Sequence, residues 1–245
     1  MHRRFSSSDT VGSRRDLLRT LAERIEAVSI DHPVRVAIDG VDCAGKTTIA
    51  DELAPLLQGS GRSVIRASID GFHMPRAVRY RNGESPSGYY SDSFDYAALS
   101  RAILDPLGPC GTREYRTATF DYAIDAERSS PVETADVDAI LLFDGVFLLR
   151  PELKEYWDFS VFIHLTFPTV LVRSATRDAA SLGGAEQAVH RYRTRYIPGQ
   201  ILYLSEATPH LLADIVIQND DPLAPMICGS NTRAKLLNEA LGYIP

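Results

Sequence analysis

The segment Gly40-Val-Asp-Cys-Ala-Gly-Lys-Thr47 matches the pattern G-x-x-x-x-G-K-[ST] at every fixed position. The apolar run that begins at Val34 predicts a short strand before it, and residues 46–57 predict a helix directly after it. In such a setting glycines let the backbone wrap a polyphosphate, and amide groups and the positive helix end stabilise its charge. The segment therefore predicts a phosphate-binding loop. A glycine turn with a solvated lysine is the alternative.

The side chains of this loop indicate how it binds a nucleotide and a metal ion. We expect Lys46 to reach the β- and γ-phosphates, the hydroxyl of Thr47 to ligate Mg²⁺, and Thr48 to add a phosphate contact. ATP and Mg²⁺ are therefore the expected cofactors. The predicted nucleotide-binding residues are Gly40, Val41, Asp42, Cys43, Ala44, Gly45, Lys46, Thr47 and Thr48.

Strand and helix signals alternate along the rest of the chain. This alternation predicts an α/β fold with a mostly parallel central sheet, helices on both faces, and ligands bound beyond the carboxyl ends of the strands. Residues 74–94 are rich in Gly, Ser, Tyr and Pro, and we expect a long functional loop there. Further strands are predicted at 64–70, 117–122, 139–144, 159–165 and 213–217, and further helices at 14–28, 96–104, 168–180 and 185–196.

A second acidic position, Asp144, ends the predicted strand 139–144. The apolar residues before it deliver its carboxylate to the sheet edge that carries the phosphate loop, where it is expected to orient Mg²⁺ directly or through water. A turn aspartate before Gly145 is the alternative, because Asp-Gly is a common turn pair. Asp144 and Thr47 together form the predicted metal site.

The overall composition limits the class of protein. The 245 residues are 44% hydrophobic with a net charge of -6, which offers no broad footprint for nucleic acid or an anionic membrane. No stretch approaches about 18 uninterrupted apolar residues. The three separated cysteines indicate neither disulfides nor a zinc site. We expect a cytoplasmic protein with a disordered lead-in at residues 1–13 and a single domain at 14–245, and a homo-oligomer is left open.

Other features decide among the proteins that use such a loop. The Asn-Lys-x-Asp element of a switch GTPase is absent from the sequence, and the length leaves no separate force-transmitting domain. Over about residues 34–220 the chain resembles the uridine kinase and phosphoribulokinase superfamily of small-molecule kinases. Besides the phosphate loop, the resemblance rests on Ser68-Ile-Asp-Gly-Phe-His73, Ser93-Phe-Asp-Tyr96, Leu142-Phe-Asp-Gly-Val-Phe147, Arg173 to Asp178, Glu186-Gln-Ala-Val-His-Arg-Tyr192 and Ala213-Asp-Ile-Val-Ile217.

The resemblance implies roles for three polar residues. In uridine kinases the aspartate after the second strand accepts the proton of the substrate hydroxyl, which makes Asp70 the candidate base. Asp95 stands where that family binds ribose hydroxyls, and His73 is a further candidate for substrate contact. The alternatives are a turn aspartate, a helix cap and a structural histidine, respectively.

The resemblance also implies a lid over about residues 173–196 that closes over the phosphates. Arg173 and Arg177 match its first basic positions and are expected to neutralise the transferring phosphoryl group. Exposed helix arginines that form weak surface ion pairs are the alternative.

The sequence departs from the family in the lid and in base recognition. Further lid arginines are missing at residues 181–185. The tyrosine and histidine that contact the pyrimidine in uridine kinases align only loosely with Phe120 and Asp125. Three later arginines are candidates to compensate in the lid, namely Arg191, Arg193 and Arg195.

These residues predict an ATP-dependent phosphotransferase that phosphorylates a hydroxyl of a small molecule, with uridine or cytidine as the leading acceptor. Nicotinamide riboside, pantothenate or another small alcohol would use the same machinery. A thymidylate-kinase-like nucleoside monophosphate kinase is an alternative that would need a basic site, for which Arg76, Arg79 and Arg81 are available. A non-kinase ATP-binding regulator is a further alternative.

Overall fold

Strands and helices alternate over most of the chain in the computed structural model, which describes residues 10–244. Ile69–Phe72 and Lys154–Tyr156 form 3₁₀ turns, and Ser100–Leu104 and Tyr192–Tyr196 form π turns. The strands are β1 (Thr10–Val11), β2 (Val34–Gly40), β3 (Val64–Ser68), β4 (Glu114–Tyr115), β5 (Phe120–Asp121), β6 (Ala126–Glu127), β7 (Glu133–Thr134), β8 (Ile140–Gly145), β9 (Phe159–His164), β10 (Ile215–Gln218) and β11 (Met226–Ile227). The helices are α1 (Arg14–Glu26), α2 (Lys46–Gly59), α3 (Arg76–Arg79), α4 (Pro86–Asp92), α5 (Tyr96–Leu99), α6 (Phe167–Arg177), α7 (Ala179–Leu182), α8 (Ala185–Arg191), α9 (Ile197–Ala207), α10 (Pro209–Leu212) and α11 (Ser230–Leu241).

A seven-stranded sheet in the order β1-β11-β10-β9-β2-β8-β3 lies at the centre of the fold. The strands from β10 to β3 run parallel, while β11 and β1 are antiparallel at one edge. Strands β2, β8 and β9 are buried along their whole length, as their apolar sequences require. The predicted α/β fold with a mostly parallel sheet is confirmed.

The register of the sheet brings the candidate site residues to one edge. Asp144 lies opposite Ile38 of β2 on one side and opposite Ser68 of β3 on the other. Because the strands are parallel, β2, β8 and β3 end at the same level. The loop after β2, the carboxylate of Asp144 and the turn Ile69–Phe72 therefore meet beyond their carboxyl ends.

Two helical regions differ from the sequence prediction. Residues 74–94 are not a simple loop, because they contain α3 and α4. Ser85 caps α4 by accepting a hydrogen bond from the backbone nitrogen of Gly88, and Pro86 occupies its first turn. The helix predicted at 185–196 continues through a π turn into α9, and Pro198, which cannot donate a backbone hydrogen bond, lies two residues after the end of that turn. Helix α11 was not predicted.

The predicted lead-in at residues 1–13 lies partly outside the described residues. Residues 1–9 are in that undescribed part. Strand β1 pairs with β11, and Ser13 caps α1 by accepting from the backbone nitrogen of Asp16 at 3.3 Å. Residues 10–13 are thus part of the folded chain, which corrects that end of the lead-in. Among the described helices, none has the length and apolar character to cross a membrane.

Candidate active site

Backbone geometry fixes the shape of the phosphate loop. Gly40 has a φ of 155°, and a Cβ placed there would lie 2.3 Å from the carbonyl oxygen of Ile163, so no side chain fits. Gly45 caps α2 with a φ of 85°, in the left-handed region that favours glycine. Cys43 is also left-handed, with a φ of 61°. The loop therefore curls tightly over the start of α2, where backbone amides and the helix end can bind phosphate.

Lys46 lies across this loop. Its Nζ donates to the carbonyl oxygens of Gly40 at 3.1 Å and Val41 at 2.8 Å. Within residues 10–244 the ammonium group forms no ion pair with a carboxylate. Its charge is therefore available to a bound phosphate.

Thr47 and Asp144 meet at the other side of the loop. The Thr47 hydroxyl donates to Oδ2 of Asp144 at 2.6 Å, and Arg66 donates to Oδ1 at 2.9 Å. This pair fits Mg²⁺, which commonly takes one or two protein oxygens and completes its shell with phosphates and water. Across residues 10–244 no group of three or more His, Cys, Asp or Glu side chains could hold a metal alone, so a site here depends on the nucleotide.

Asp39 supports the loop from behind and was missed by the sequence analysis. Its carboxylate accepts hydrogen bonds from the backbone nitrogens of Gly40 at 2.7 Å and Leu149 at 3.2 Å, and from the hydroxyl of Tyr203. Burial raises the pKa of Asp39 above its ordinary value of 3.8, although these donors oppose the shift. The available signal was a carboxylate within the buried strand β2, directly before the phosphate loop.

Asp42 connects the loop to two helices. Its carboxylate accepts from the hydroxyl of Tyr89 in α4 at 2.9 Å and from the side-chain amide of Gln200 in α9. The sequence analysis assigned α4 to a loop and did not predict α9, so neither partner could be found from local patterns.

Asp70 lies in the 3₁₀ turn after β3, with Oδ1 3.5 Å from Nε2 of His73. The walls of the cavity raise the pKa of Asp70, but His73, Lys46 and Arg177 lower it more, so it lies below its ordinary value of 3.8. The carboxylate keeps access to water and is ionised at neutral pH, which is the state that a general base requires.

His73 is held by hydrogen bonding and stacking. Its Nδ1 lies 3.1 Å from the carbonyl oxygen of Ser93, and its ring centroid is 4.6 Å from that of Phe94 and 4.5 Å from that of Tyr122. The structural role that was the alternative is therefore present. Substrate contact by His73 stays a prediction.

Asp95 caps α5, since its Oδ1 accepts from the backbone nitrogen of Ala98 at 2.8 Å. It does not belong to the wall of the central cavity. The capping alternative is thus observed, and binding of sugar hydroxyls by Asp95 stays a prediction.

The two predicted lid arginines both line the cavity but have different partners. Arg173 donates to the carbonyl oxygens of Cys43 at 3.2 Å and Asn219 at 2.8 Å, which attaches α6 to the phosphate loop. Arg177 donates twice to the carboxylate of Asp178, both at 2.8 Å. Arg173 is half-buried against the loop, whereas Arg177 is exposed and paired with Asp178, so the alternative of an exposed, ion-paired arginine is observed for Arg177.

Tyr192 joins the lid to the phosphate loop. Its hydroxyl donates to Asp178 at 2.6 Å and accepts from Arg177 at 2.8 Å, and the Sγ of Cys43 lies 3.5 Å away. Burial raises the pKa of Tyr192 and of Cys43, so both groups stay protonated at neutral pH. The segment predicted as a lid is therefore in contact with the phosphate loop.

Helix α3 and the β5–β6 hairpin form the wall beyond Asp70. Asp125, in the hairpin turn, accepts from the guanidinium of Arg79 at 2.7 Å and from the backbone nitrogen of Arg76 at 2.9 Å. The Arg79 guanidinium lies 4.4 Å from the ring centroid of Tyr122. Asp125 thus anchors Arg79, and Phe120, 5% exposed, is buried in β5. The contacts of Phe120 and Asp125 are thus structural, and they do not support the loose alignment of these residues with the base-contacting residues of uridine kinases.

Most of the remaining candidate arginines are already paired. Arg79 is paired with Asp125, Arg81 with Asp92, and Arg191 with Glu84. Arg193 is exposed, and only Arg195 of the three later arginines lines the cavity. Of the three arginines available for a nucleoside monophosphate kinase, Arg79 and Arg81 are therefore neutralised, whereas Arg76 forms no ion pair among residues 10–244.

A single cavity of about 1070 Å³ joins these groups. Gly40, Val41 and Asp95 are outside its wall. The predicted site residues that line it are Asp42, Cys43, Ala44, Gly45, Lys46, Thr47, Thr48, Asp70, His73, Asp144, Arg173 and Arg177.

Several known proteins with similar sequences or structures are described as uridine kinases. Uridine-cytidine kinase B of Dictyostelium discoideum is 25% identical over 189 residues, 76% of this chain and 74% of that protein. Uridine kinase of Ureaplasma urealyticum is 22% identical over 169 residues, 68% of this chain and 79% of that protein. A solved structure described as a possible uridine kinase from Bacillus stearothermophilus has a TM-score of 0.65 and 25% identity, covering 82% of this chain and 97% of that chain. No family model matches the sequence.

The similarities extend over most of this chain and of each similar protein, far beyond the length of the phosphate loop. They agree with a parallel sheet whose strand ends bring Lys46, Thr47 and Asp144 into one cavity with Asp70. In sequence and fold the chain resembles the uridine kinase and phosphoribulokinase-like superfamily of P-loop small-molecule kinases.

Proposed function

We propose that the protein transfers the γ-phosphoryl group of Mg·ATP to a hydroxyl of a small molecule, with a nucleoside such as uridine or cytidine as the first acceptor to test. The observation that carries the proposal is that Asp70, ionised and open to water, lines the same cavity as the phosphate loop and the Thr47–Asp144 pair. The curated uridine kinases among the relatives support the choice of acceptor.

Each group has a role in this reaction. Lys46, Arg173 and Arg177 would stabilise the charge of the phosphates, and Thr47 and Asp144 would hold Mg²⁺. Asp70 would accept the proton of the acceptor hydroxyl as its oxygen bonds to the γ-phosphorus and ADP leaves. His73 and Asp95 follow Asp70 in the sequence, and both are proposed to contact the acceptor.

The test is Mg·ATP-dependent transfer to a panel of uridine, cytidine, uridine and thymidine monophosphates, nicotinamide riboside and pantothenate. The Asp70→Asn variant is assayed in parallel and should lose about 10²- to 10⁴-fold in kcat, the usual contribution of a general base. Thr112→Val, an exposed change away from the cavity, serves as the unaffected control.

The outcomes separate the alternatives. A phosphorylated nucleoside that Asp70→Asn no longer forms supports the proposal, whereas preferred formation of a diphosphate from a monophosphate replaces it with a nucleoside monophosphate kinase. ATP hydrolysis that needs no acceptor and is equal in both proteins would identify a regulator instead.

A further inference from the structure

Arg195 is a buried charge without a counter-charge. The residue is 2% exposed, and its Nη2 donates to the carbonyl oxygen of Arg79 at 3.2 Å. Within the described part of the chain, its Nε and Nη1 have no hydrogen-bond partner. Among residues 10–244 its guanidinium forms no ion pair, although it lies in the wall of the cavity.

Two other arginines lie near the guanidinium of Arg195. Its guanidinium carbon lies 4.3 Å from the ring centroid of Tyr80, and the guanidinium carbon of Arg76 lies 5.3 Å from the same ring. Arg79, whose carbonyl oxygen it contacts, has Asp125 as its own partner. Of the arginines around this ring, Arg195 and Arg76 therefore form no ion pair among residues 10–244.

Such an arrangement is costly unless a ligand completes it. A guanidinium removed from water loses solvation that a tyrosine ring and one carbonyl oxygen offset only in part. An anion held in this low-dielectric setting would form strong charge-assisted hydrogen bonds with the two free donors. The unpaired arginine is thus suited to binding an anionic ligand.

We infer that the acceptor carries a carboxylate or phosphate group that binds Arg195, while its hydroxyl faces Asp70. The inference rests on the proposed phosphotransfer and narrows its acceptor class. Among nucleoside derivatives it selects a nucleotide whose phosphate lies away from the reacting hydroxyl. Among other compounds it selects a hydroxy acid. The ring of Tyr80 covers the guanidinium, so the anion enters beside this ring or displaces it.

Matched acceptor pairs test the inference by kinetics. Uridine is compared with 3′-UMP for phosphate, and pantothenol with pantothenate for carboxylate. The anionic member of at least one pair should have a kcat/KM at least about tenfold higher, the effect of one good ionic contact. In Arg195→Met this ratio should fall to near one through the KM of the acceptor, with the KM for ATP unchanged.

Two further variants separate charge recognition from a structural effect. Arg195→Lys keeps the charge and should retain part of the preference. Arg193→Met removes the same charge from an exposed position two residues away and should leave the ratio unchanged. A neutral member that is used equally well or better in both pairs, or a ratio that survives in Arg195→Met, would overturn the inference.

A binding measurement separates this inference from the proposed reaction. The wild-type protein is saturated with Mg²⁺ and a non-hydrolysable ATP analogue so that the phosphate loop is occupied, and each of the four compounds is titrated calorimetrically. Tighter binding of an anion that Arg195→Met abolishes supports the anion site, even if no compound is phosphorylated and the proposed reaction fails. Equal binding of charged and neutral members refutes the anion site while leaving phosphotransfer to be judged by turnover.

Discussion

The two ends of the cavity are built in different ways. The phosphate end, residues 40–48 with Asp144, takes most of its groups from one continuous segment. Its Lys46 donates to two carbonyl oxygens of that segment. The acceptor end comprises Asp70, His73, α3, the β5–β6 hairpin and Arg195. Its groups come from separate segments, and its Arg79 is paired with Asp125, which is 46 residues away. Phosphate binding is therefore encoded locally, whereas acceptor recognition depends on long-range contacts.

The largest effect is expected from removing the charge of Lys46. Lys46→Met should lower kcat/KM by at least about a hundredfold, because one preorganised charge on the transferring group is lost. The glycines that shape the loop remain, so the folded structure should persist. Steady-state kinetics with circular dichroism check this, and Lys235→Met, on the exposed face of α11, is the control. Activity of Lys46→Met within a few fold of wild type would contradict the assignment of Lys46 as the residue that stabilises the phosphate charge.

A smaller effect is expected when the long-range pair of the acceptor end is broken. Asp125→Ala leaves Arg79 buried without its partner and frees the hairpin from α3. The KM for the acceptor should rise by about tenfold, corresponding to about 1.4 kcal/mol, while the KM for ATP stays constant. Glu127→Ala, an exposed change in the same hairpin, should alter neither constant. An equal rise in both KM values would show that the two ends are not independent.

A change in stability rather than turnover is expected near the phosphate end. His164 ends β9 directly after Ile163, which packs against Gly40, and its Nδ1 lies 2.9 Å from Nε2 of His210. Burial lowers the pKa of His164 to about 4 and that of His210 to about 3. The unfolded chain, with histidine pKa values of about 6.5, therefore binds more protons below that pH, and stability falls as pH falls from about 6.5 towards 4.

Urea unfolding of His210→Gln measures this contribution. The loss of unfolding free energy between about pH 6.5 and 4.5 should be smaller than in wild type, because one proton-linked group is removed. His190→Gln, which changes an exposed histidine, should keep the wild-type pH dependence. Identical slopes in all three proteins would contradict this assignment.

The smallest effect is expected from pH on the acceptor end. The pKa of Asp70 lies below 3.8, so this base stays ionised through the neutral range. The kcat/KM should then show no acidic limb between about pH 7 and 5, a range in which a base with a raised pKa would lose activity. Initial rates across this range, with protein stability followed in parallel, test it. A limb centred near pH 6 would point to a different base.

The difference between the phosphate end and the acceptor end also explains how much of the structure could be predicted from the sequence. The strand before Gly40, the loop and the start of α2 were predicted correctly, because glycine conformation and apolar runs act over a few neighbouring residues. The carboxylates at strand ends could also be located, since β2, β8 and β3 are parallel and end together. Helices α3 and α4 were missed because Gly, Ser and Pro residues in that segment favour turns.

The sequence by itself determined the phosphate loop, the alternating α/β pattern and the strand-end aspartates, because each is specified by residues close together in the chain. Only the tertiary structure decided that Asp39 supports the loop, that Asp125 holds Arg79, and that Arg195 is buried without a counter-charge. Arg195 meets the carbonyl oxygen of Arg79 across 116 residues. Burial and pairing of charges depend on which distant segments pack together, and no local pattern of residues encodes that choice.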